Sequence, residues 1–532
     1  MDDVILRIVA CLVTTGLFCI STEKLLGAMQ QSNYKNKTFL RWLKRKDNLY
    51  FNRLCLLTLC LLLAASVTSL CFSFLGKREA LLLSALPFLG LSLVFGIVDE
   101  KYALKVPVKR TGRWNRLFAV YVFVTACISY VFIAFLWMLS KLNGSTLYAL
   151  IAFAPYAVTP LLLPIFLCLA NGITGIFENA RNKKFVKRAG QVLDESSILR
   201  VAIVGSYGKT SVKNILKTLL SERYQTVETP ESYNTPIGIA KTVFSPAFEN
   251  KEILIAEMGA RREGDIEELC QLVKPDYAIF TGVCEQHIET FGSIQNVFEE
   301  KSRIIKHTKN AVVCGDSLKS WLQDSTQEKV FFTSALQMKD VCFSSKETEC
   351  TLLIDGAEIY VKTKLLGTAA LENICLAAML AYKMGLMAEE IERGLSKVKP
   401  IPHRLQLLEN GGVYILDDGY NSNPRGAKEA LEALSRFEGK KWVVTPGIIE
   451  CGILEECLNA ELGRRIAESG VDKVILVGET LINAVKTGYQ TANGNMEKLC
   501  VVKTLADAQQ LLGEELQTGD CVLFLNDLPD VY

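Results

Sequence analysis

Residues 200–214, RVAIVGSYGKTSVKN, decide how the rest of the chain is read. The β-branched run 201–204 enters a loop closed by Gly205 and Gly208, and Lys209, Thr210 and Ser211 then open a helix. In such a strand–loop–helix the backbone N–H groups and the helix N-terminus, here from Gly205 and Ser206 onward, face an anion. The lysine reaches the outer phosphates and a hydroxyl meets Mg²⁺, so the stretch reads as a nucleotide triphosphate loop for ATP or GTP. The usual spacing has a further glycine where this chain has Ile203, which makes the loop a variant. An ordinary turn whose lysine is merely solvated is the plainer reading of the same residues, and the neighbouring stretches decide between the two.

Upstream of that loop the chain is apolar. Five segments, 4–20, 54–75, 80–98, 117–140 and 147–170, are long enough to cross a bilayer or nearly so. The first contains Arg7, and the last contains Pro155, Pro160 and Pro164, which predicts a kinked span. Basic residues cluster after the first span (Lys35, Lys37, Arg41, Lys44, Arg45, Lys46), after the third (Lys101, Lys105, Lys109, Arg110, Arg113, Arg116) and after the fifth (Arg181, Lys183, Lys184, Lys187, Arg188). The positive-inside rule puts these clusters, and with them the nucleotide loop, on the cytoplasmic side of a multi-pass protein of a bacterial cell membrane. Contact with anionic membrane lipid is a second reading of the same clusters.

Composition agrees with this division. The 532 residues suffice for about three domains and are 50% hydrophobic, with a net charge of +2 that gives no general attraction to nucleic acid. Seventeen cysteines are scattered without a C-x-x-C pair, which argues for reduced, buried thiols rather than a disulfide framework or a zinc site. From about Ser196 strand-like runs alternate with Glu- and Lys-rich helical segments, as in a mostly parallel sheet, and a second alternation begins after Pro400 and Pro402. The expected architecture is an α-helical membrane domain, 1–180, followed by two α/β domains. These are a central ATP-binding P-loop domain, 196–398, and a C-terminal Rossmann-like domain, 399–532, hinged near Lys399 to His403.

Candidate chemistry sits at strand ends. Glu257 closes ILIAE and places a carboxylate where ligands of open α/β sheets bind, although a strand-end acid also caps neighbouring helices. His287 follows the next strand and is one of three histidines in the chain; a lone loop histidine is more often structural than a ligand. Asn373, in LLGTAALENICLAAM, reads as a helix-start residue that either caps the helix or meets an adenine edge. Arg404 lies just past the hinge, where a guanidinium suits phosphate or acyl-phosphate charge. Asp417, Asp418, Asn421 and Asn423, in ILDDGYNSNP, are compatible with a site and equally with a tight polar turn ended by Pro424.

Taken in order, GSYGKTSVK, YNTPIGIAKTV, AEMGA, HIETFGS, EEKSRII, ENICLAA, HRLQ and DDGYNSNP resemble the Mur ligase family, the ATP-dependent amide-forming enzymes of peptidoglycan synthesis. They look most like the branch that adds D-alanyl-D-alanine to UDP-N-acetylmuramoyl-tripeptide. The resemblance implies a phosphoryl-contacting Lys209, Thr210 and Glu257 on one Mg²⁺, His287 on a metal pair, and Lys301 as a carbamylated lysine holding the second ion. It also implies Asn373 on adenine, Asp418 on ribose, Arg404 on the triphosphate, and Asn234, Thr235, Gly238, Asn421 and Asn423 toward the substrate. The implied reaction joins an amino acid or dipeptide amine to the carboxylate of a muramoyl-peptide or of a lipid-linked envelope precursor through an acyl phosphate.

Three departures accompany the resemblance. Membrane spans stand where that branch has a uridine-nucleotide domain, Glu372 stands where a histidine is usual, and the closing LFLNDLPDVY lacks a basic, glycine-containing end. Two other classes remain for the same residues: a non-catalytic membrane scaffold that keeps a ligase fold, and a transport ATPase, which the absence of an LSGGQ-like stretch disfavours.

Overall fold

A computed structural model describes residues 8, 11–12, 15–16, 18–19, 22–44, 49–72, 90–91, 94, 108–140, 159–230, 233–285, 288–322, 328–354, 356–419, 423–449, 451–478 and 481–525. Most of the expected span at 80–98, more than half of the one at 4–20, the first half of the one at 147–170, and the sites His287 and Asn421 lie outside the described residues. The chain divides into an N-terminal unit ending at Asn182 and a second unit, Lys183–Leu528.

The N-terminal unit is helical: α1 (Glu23–Gln31), α2 (Asn36–Leu43), α3 (Leu49–Phe72), α4 (Gly112–Ser140) and α5 (Thr159–Glu195). Two of its described helices are long and apolar enough to cross a membrane, Gly112–Val131 within α4 and the apolar part of α5. Its core gathers Leu25, Phe39, Tyr50, Leu117, Tyr121 and Leu167, and Pro164 lies inside α5 without ending it. The turn before α2 is pinned to α5 by Asn171, whose amide donates to Tyr34 O (2.9 Å) and Asn36 Oδ1 (2.7 Å). Helix α5 runs on through the change in composition near residue 180, so no loop separates apolar from charged sequence there.

The second unit contains two six-stranded sheets and a small third one. The first sheet holds β1 (Leu199–Val204), β2 (Thr226–Glu228), β3 (Ile253–Glu257), β4 (Tyr277–Phe280), β5 (Ala311–Cys314) and β6 (Val330–Phe332), in the spatial order β2-β3-β1-β4-β5-β6, all parallel. Fully buried strands such as VAIV and ILIA read as continuous apolar runs because helices cover both faces. Helix α6 (Lys209–Leu220) packs Val212, Ile215, Leu216, Leu219 and Leu220 against the sheet, the i, i+3, i+4, i+7, i+8 pattern of a half-buried helix. Around it lie α7 (Pro236–Val243), α8 (Asp265–Val273), α9 (Ile294–His307) and α10 (Thr368–Lys383).

The antiparallel sheet β7 (Gln337–Phe343), β8 (Thr348–Ile354) and β9 (Ala357–Thr363) is absent from the sequence reading. Its alternating strands bury Cys350, Leu352, Ile359 and Val361 in the same core as α6 and α10. The C-terminal sheet runs β10 (Gln406–Asn410), β11 (Val413–Asp418), β15 (Cys521–Leu525), β12 (Lys441–Thr445), β13 (Lys473–Val477), β14 (Leu499–Val502), with only β10 antiparallel. The expectation of two mostly parallel α/β layers is thereby met. Helix α11 (Pro424–Leu434) follows β11 and points its N-terminus toward the first sheet's loop.

Candidate active site

In the first sheet β1 lies between β3 and β4, with Ile203 opposite Glu257 and Val204 opposite Phe280. The loop after β1 therefore opens at the carboxyl edge where the strand order turns, the place where open α/β sheets bind ligands. Two glycines make it possible. Gly205 has φ 154°, and a Cβ there would lie 1.9 Å from Thr281 Oγ1; Gly208 caps α6 in the left-handed region at φ 73°, with Asn373 Oδ1 2.5 Å from where its Cβ would be.

Two lysines converge on that loop. Lys209 Nζ donates to Gly205 O at 2.8 Å, and Lys301 Nζ, from the buried face of α9, donates to the same oxygen at 3.1 Å. A carbonyl carries only a partial negative charge, so two ammonium groups sharing one leave positive charge unanswered. Burial lowers the pKa of both; that of Lys301, fully enclosed and facing Lys209, falls to about 7. Lys301 is no surface lysine, since it is 1% exposed. Ser206 Oγ, in the same wall, is buried and without a hydrogen-bond partner among the described residues.

Glu257 faces the loop from the end of β3. Its Oε2 accepts from Thr210 Oγ1 at 3.0 Å and lies 3.4 Å from Lys213 Nζ, and its Oε1 accepts from Asn234 Nδ2 at 3.3 Å. The acid is thus held by the first turn of α6 from one side and by the loop before α7 from the other. Lys213 is a functional neighbour that the sequence reading missed. It lies one helical turn after Lys209 and is 1% exposed, donating also to Thr229 O at 2.8 Å.

The hydroxyl and carboxylate of Thr210 and Glu257 are hard oxygen ligands of the kind Mg²⁺ takes when phosphate and water supply the remainder, so the residues present fit one such ion. Among the described residues there is no cluster of three or more histidines, cysteines and acids. Asn234, Thr235, Thr210, Glu257, Lys209 and Lys301 all line one cavity of about 290 Å³. Thr235 also caps α7, accepting from Gly238 N at 3.3 Å, while Gly238 packs directly on Tyr233.

A second cavity adjoins it, sharing Tyr207, Gly208, Ser211, Arg404 and Asn423. Asn373 lines it, and the expectation that Asn373 starts a helix is corrected. Gly367 is the N-cap of α10, so Asn373 sits in the second turn, buried, with its amide against Gly208. It has no capping role.

Asp418, at the end of β11, accepts from Leu405 N at 3.1 Å and lines the same cavity. Burial pushes its carboxyl up to about 7, with Arg404 opposing. Asn423 caps α11, accepting from Arg425 N (3.1 Å) and Gly426 N (3.0 Å), and Asp417 pairs with His403 at 2.7 Å. The backbone twists sharply between them, with His403 and Leu405 at φ 60° and 47°.

One element of the wall carried no signal in the sequence. Arg425 stacks 4.5 Å from the Tyr207 ring centre, donates to Tyr207 OH (2.5 Å) and Glu372 Oε2 (2.5 Å), and reaches Glu429 Oε1 at 3.3 Å. Glu372 is therefore one partner of a guanidinium joining the loop after β1 to α11.

This arrangement is shared with known proteins. Residues 203–381 match the Mur ligase middle domain and residues 403–526 the Mur ligase glutamate ligase domain. The UDP-N-acetylmuramoyl-tripeptide–D-alanyl-D-alanine ligase of Bacillus subtilis is 30% identical over 346 residues, covering 62% of this chain and 74% of the relative. The chain belongs to the Mur ligase family. Among solved structures, MurF ligase from Thermotoga maritima in complex with ADP superposes with a TM-score of 0.58 at 27% identity, covering 66% of this chain and 81% of that one. MurF from Acinetobacter baumannii, at 21% identity and a TM-score of 0.60, shares the fold over 66% of this chain and 78% of its own. Both Mur ligase domains lie within the second unit, and the first 202 residues fall outside both matches. The family resemblance of the eight motifs is borne out.

Proposed function

We propose that the protein is an ATP-dependent carboxylate–amine ligase that joins D-alanyl-D-alanine to a UDP-N-acetylmuramoyl-tripeptide in peptidoglycan precursor synthesis. The observation that carries this is the convergence of Lys209 and Lys301 on one carbonyl, beside the Thr210–Glu257 pair and open to a cavity that a polyanion would fill. The D-alanyl-D-alanine ligase relatives and the ADP complex of the Thermotoga maritima enzyme support the choice of nucleotide and substrates.

The residues then have distinct tasks. Lys209 and the loop amides hold the β- and γ-phosphates, Asn373 and Asp418 take adenine and ribose in the adjoining cavity, and Arg404, common to both cavities, meets the phosphate charge between them. Mg²⁺, held by Thr210 and Glu257, would supply charge neutralisation for the phosphates. A substrate carboxylate placed near Asn234 and Thr235 attacks the γ-phosphorus, the bond to the β-bridging oxygen breaks, and ADP leaves. The amine then adds to the acyl carbonyl, loses a proton and expels phosphate.

Burial lowers the pKa of Lys301, which favours loss of its proton to solvent; the free amine could then add CO₂, with release of a second proton, and the resulting carbamate would be able to hold a second ion. The N-terminal unit anchors the enzyme in the bacterial cell membrane with the ligase domains cytoplasmic, a reading supported by the two apolar helices and the basic residues that flank them.

The test is phosphate release by full-length protein purified in detergent, given ATP, Mg²⁺ and D-alanyl-D-alanine with either UDP-N-acetylmuramoyl-tripeptide or its lipid-linked counterpart. Turnover that requires the UDP-linked acceptor is expected. Turnover on the lipid-linked acceptor alone would overturn the acceptor assignment, and acceptor-independent hydrolysis or silence on both would overturn the ligase.

A further inference from the structure

Two arginines of the N-terminal unit share one acid, and a third lies near it. Glu178 of α5 is nearly enclosed, its side chain 5% exposed, and it receives Arg116 Nε at 2.5 Å and Arg181 Nη2 at 2.7 Å. Arg113 lies close enough to feel Glu178, Arg116 and Arg181, with its guanidinium 3.9 Å from the centre of the Tyr34 ring. Arg110, nearby in sequence, is engaged elsewhere, with Glu23 at 2.8 Å. One carboxylate against three guanidinium groups leaves two positive charges. Arg116 and Arg181 remain 43% and 57% exposed, so part of each fork faces outward.

Each of the two helices that meet at this cluster carries an apolar stripe leading to it. On α4 the exposed residues Phe123, Cys127, Val131 and Phe135 recur every four residues, and Arg116 lies two turns before Phe123. On α5 the exposed residues Ile165, Leu169, Ile173 and Phe177 recur in the same way, and Arg181 is the next step. Phe123 and Phe177, the members nearest the arginines, are 68% and 70% exposed. Arg116, near the start of α4, meets Glu178 in the middle of α5, just past the apolar part of that helix. Apolar stripes of this length are out of place in water and match an acyl chain, and forked donors beyond their ends match a phosphodiester.

We propose that Arg113, Arg116 and Arg181 form a binding site for the phosphate of an anionic membrane lipid, with the α4 and α5 stripes taking its acyl chains. The inference rests on the membrane reading above and deepens it, because it assigns a lipid class and a location to the anchor. Glu178 is the positioning residue: it aligns two of the guanidinium groups without neutralising the set.

The experiment uses the full-length chain, extracted from membranes and reconstituted into mixed phosphatidylcholine and phosphatidylglycerol vesicles. Lipid retained after transfer to detergent is read by native mass spectrometry, and ligase turnover in detergent serves as the folding control. Retention of phosphatidylglycerol over phosphatidylcholine is expected. The R113Q/R116Q/R181Q variant should lower it by about 100-fold, from the usual contribution of three basic residues at an anionic surface, with turnover retained. K183Q/K184Q, farther along the same helix, should change it by much less.

Equal loss in the two variants would reduce the effect to general surface charge and overturn the site. Should the triple variant misfold, R116K/R181K keeps the charges and loses the forks; unchanged retention in it would also overturn the proposal. Protein pairs with no bound lipid would make the stripes a self-association face instead. A full-length chain recovered without detergent from the soluble fraction would overturn the membrane reading and this site together, whereas a membrane-bound chain indifferent to phosphatidylglycerol would overturn the site alone.

Discussion

The ligase cavity and the N-terminal helices both gather more positive charge than their acids neutralise, and they do so in opposite ways. In the cavity two lysines, Lys209 and Lys301, are buried and aimed at one backbone carbonyl, with Arg404 in the wall beside them; in the helices the cations are all arginines, Arg113, Arg116 and Arg181, partly exposed around Glu178. Burial lowers the pKa of a lysine and makes its charge depend on what enters the cavity, which suits a phosphoryl group that arrives and leaves. A guanidinium keeps its charge and its fork at a wet interface, which suits a permanent lipid phosphate. The difference separates a site that works from a site that holds.

The widest separation between the two regions comes from Lys209→Ala. Turnover should fall by about 10²–10³ or more, as when a charge-stabilising donor is removed, while lipid retention stays at the wild-type level. Steady-state phosphate release on the purified variant checks this, and near-normal turnover would remove the loop after β1 from the mechanism.

Asp418→Asn gives the next effect, about tenfold on KM for ATP at pH 7–8 with a smaller change in kcat, by loss of a charged acceptor. It should also sharpen the pH behaviour of the cavity. The native carboxyl, raised to about 7 by burial, binds a proton more tightly than in the unfolded chain, where the usual carboxylate value applies. Its contribution to stability is present below about pH 4 and is lost as the pH rises to about 7. The Asn variant should therefore gain Tm relative to wild type at pH 8 compared with pH 5. Lys301 has the opposite slope. Its lowered pKa makes the native state bind fewer protons than the unfolded chain between about 7 and 10.5, so stability from that group rises with pH across that window. Parallel Tm curves for wild type and Asp418→Asn would contradict the burial of the acid.

Arg425→Ala is the smallest of the three. It removes the partner of Glu429 and the contacts to Tyr207 and Glu372, with an expected loss of about 1–2 kcal/mol in chemical denaturation and a rise of a few-fold in KM for ATP. An unchanged KM would make the Arg425 contacts structural only.

Much of the site was legible because its parts are contiguous. Gly205, Gly208, Lys209 and Thr210 fall within six adjacent positions whose chemistry is imposed by a turn, and Glu257 is placed by the end of an apolar strand. The helix-start reading of Asn373 failed, since the helix begins five residues before it and packing alone brings its amide against Gly208. The antiparallel β7–β9 sheet was missed although β8 and β9 alternate cleanly, because β7 is exposed along nearly its whole length and the three strands lie between two parallel sheets whose apolar runs dominate the pattern.

What the sequence determined by itself was everything that follows from spacing along one strand, one turn or one helix: two α/β layers, a phosphate-binding loop, apolar helices with basic flanks. The tertiary structure alone decided which charges share a partner. Lys301 is 96 residues from Gly205, Asn373 is 165 from Gly208, and Glu178 is 62 from Arg116, and no local rule links such positions. Lys301 is an ordinary helix lysine until β1 and α9 are packed together and the water around it is gone; only then does burial move its charge and give it a task.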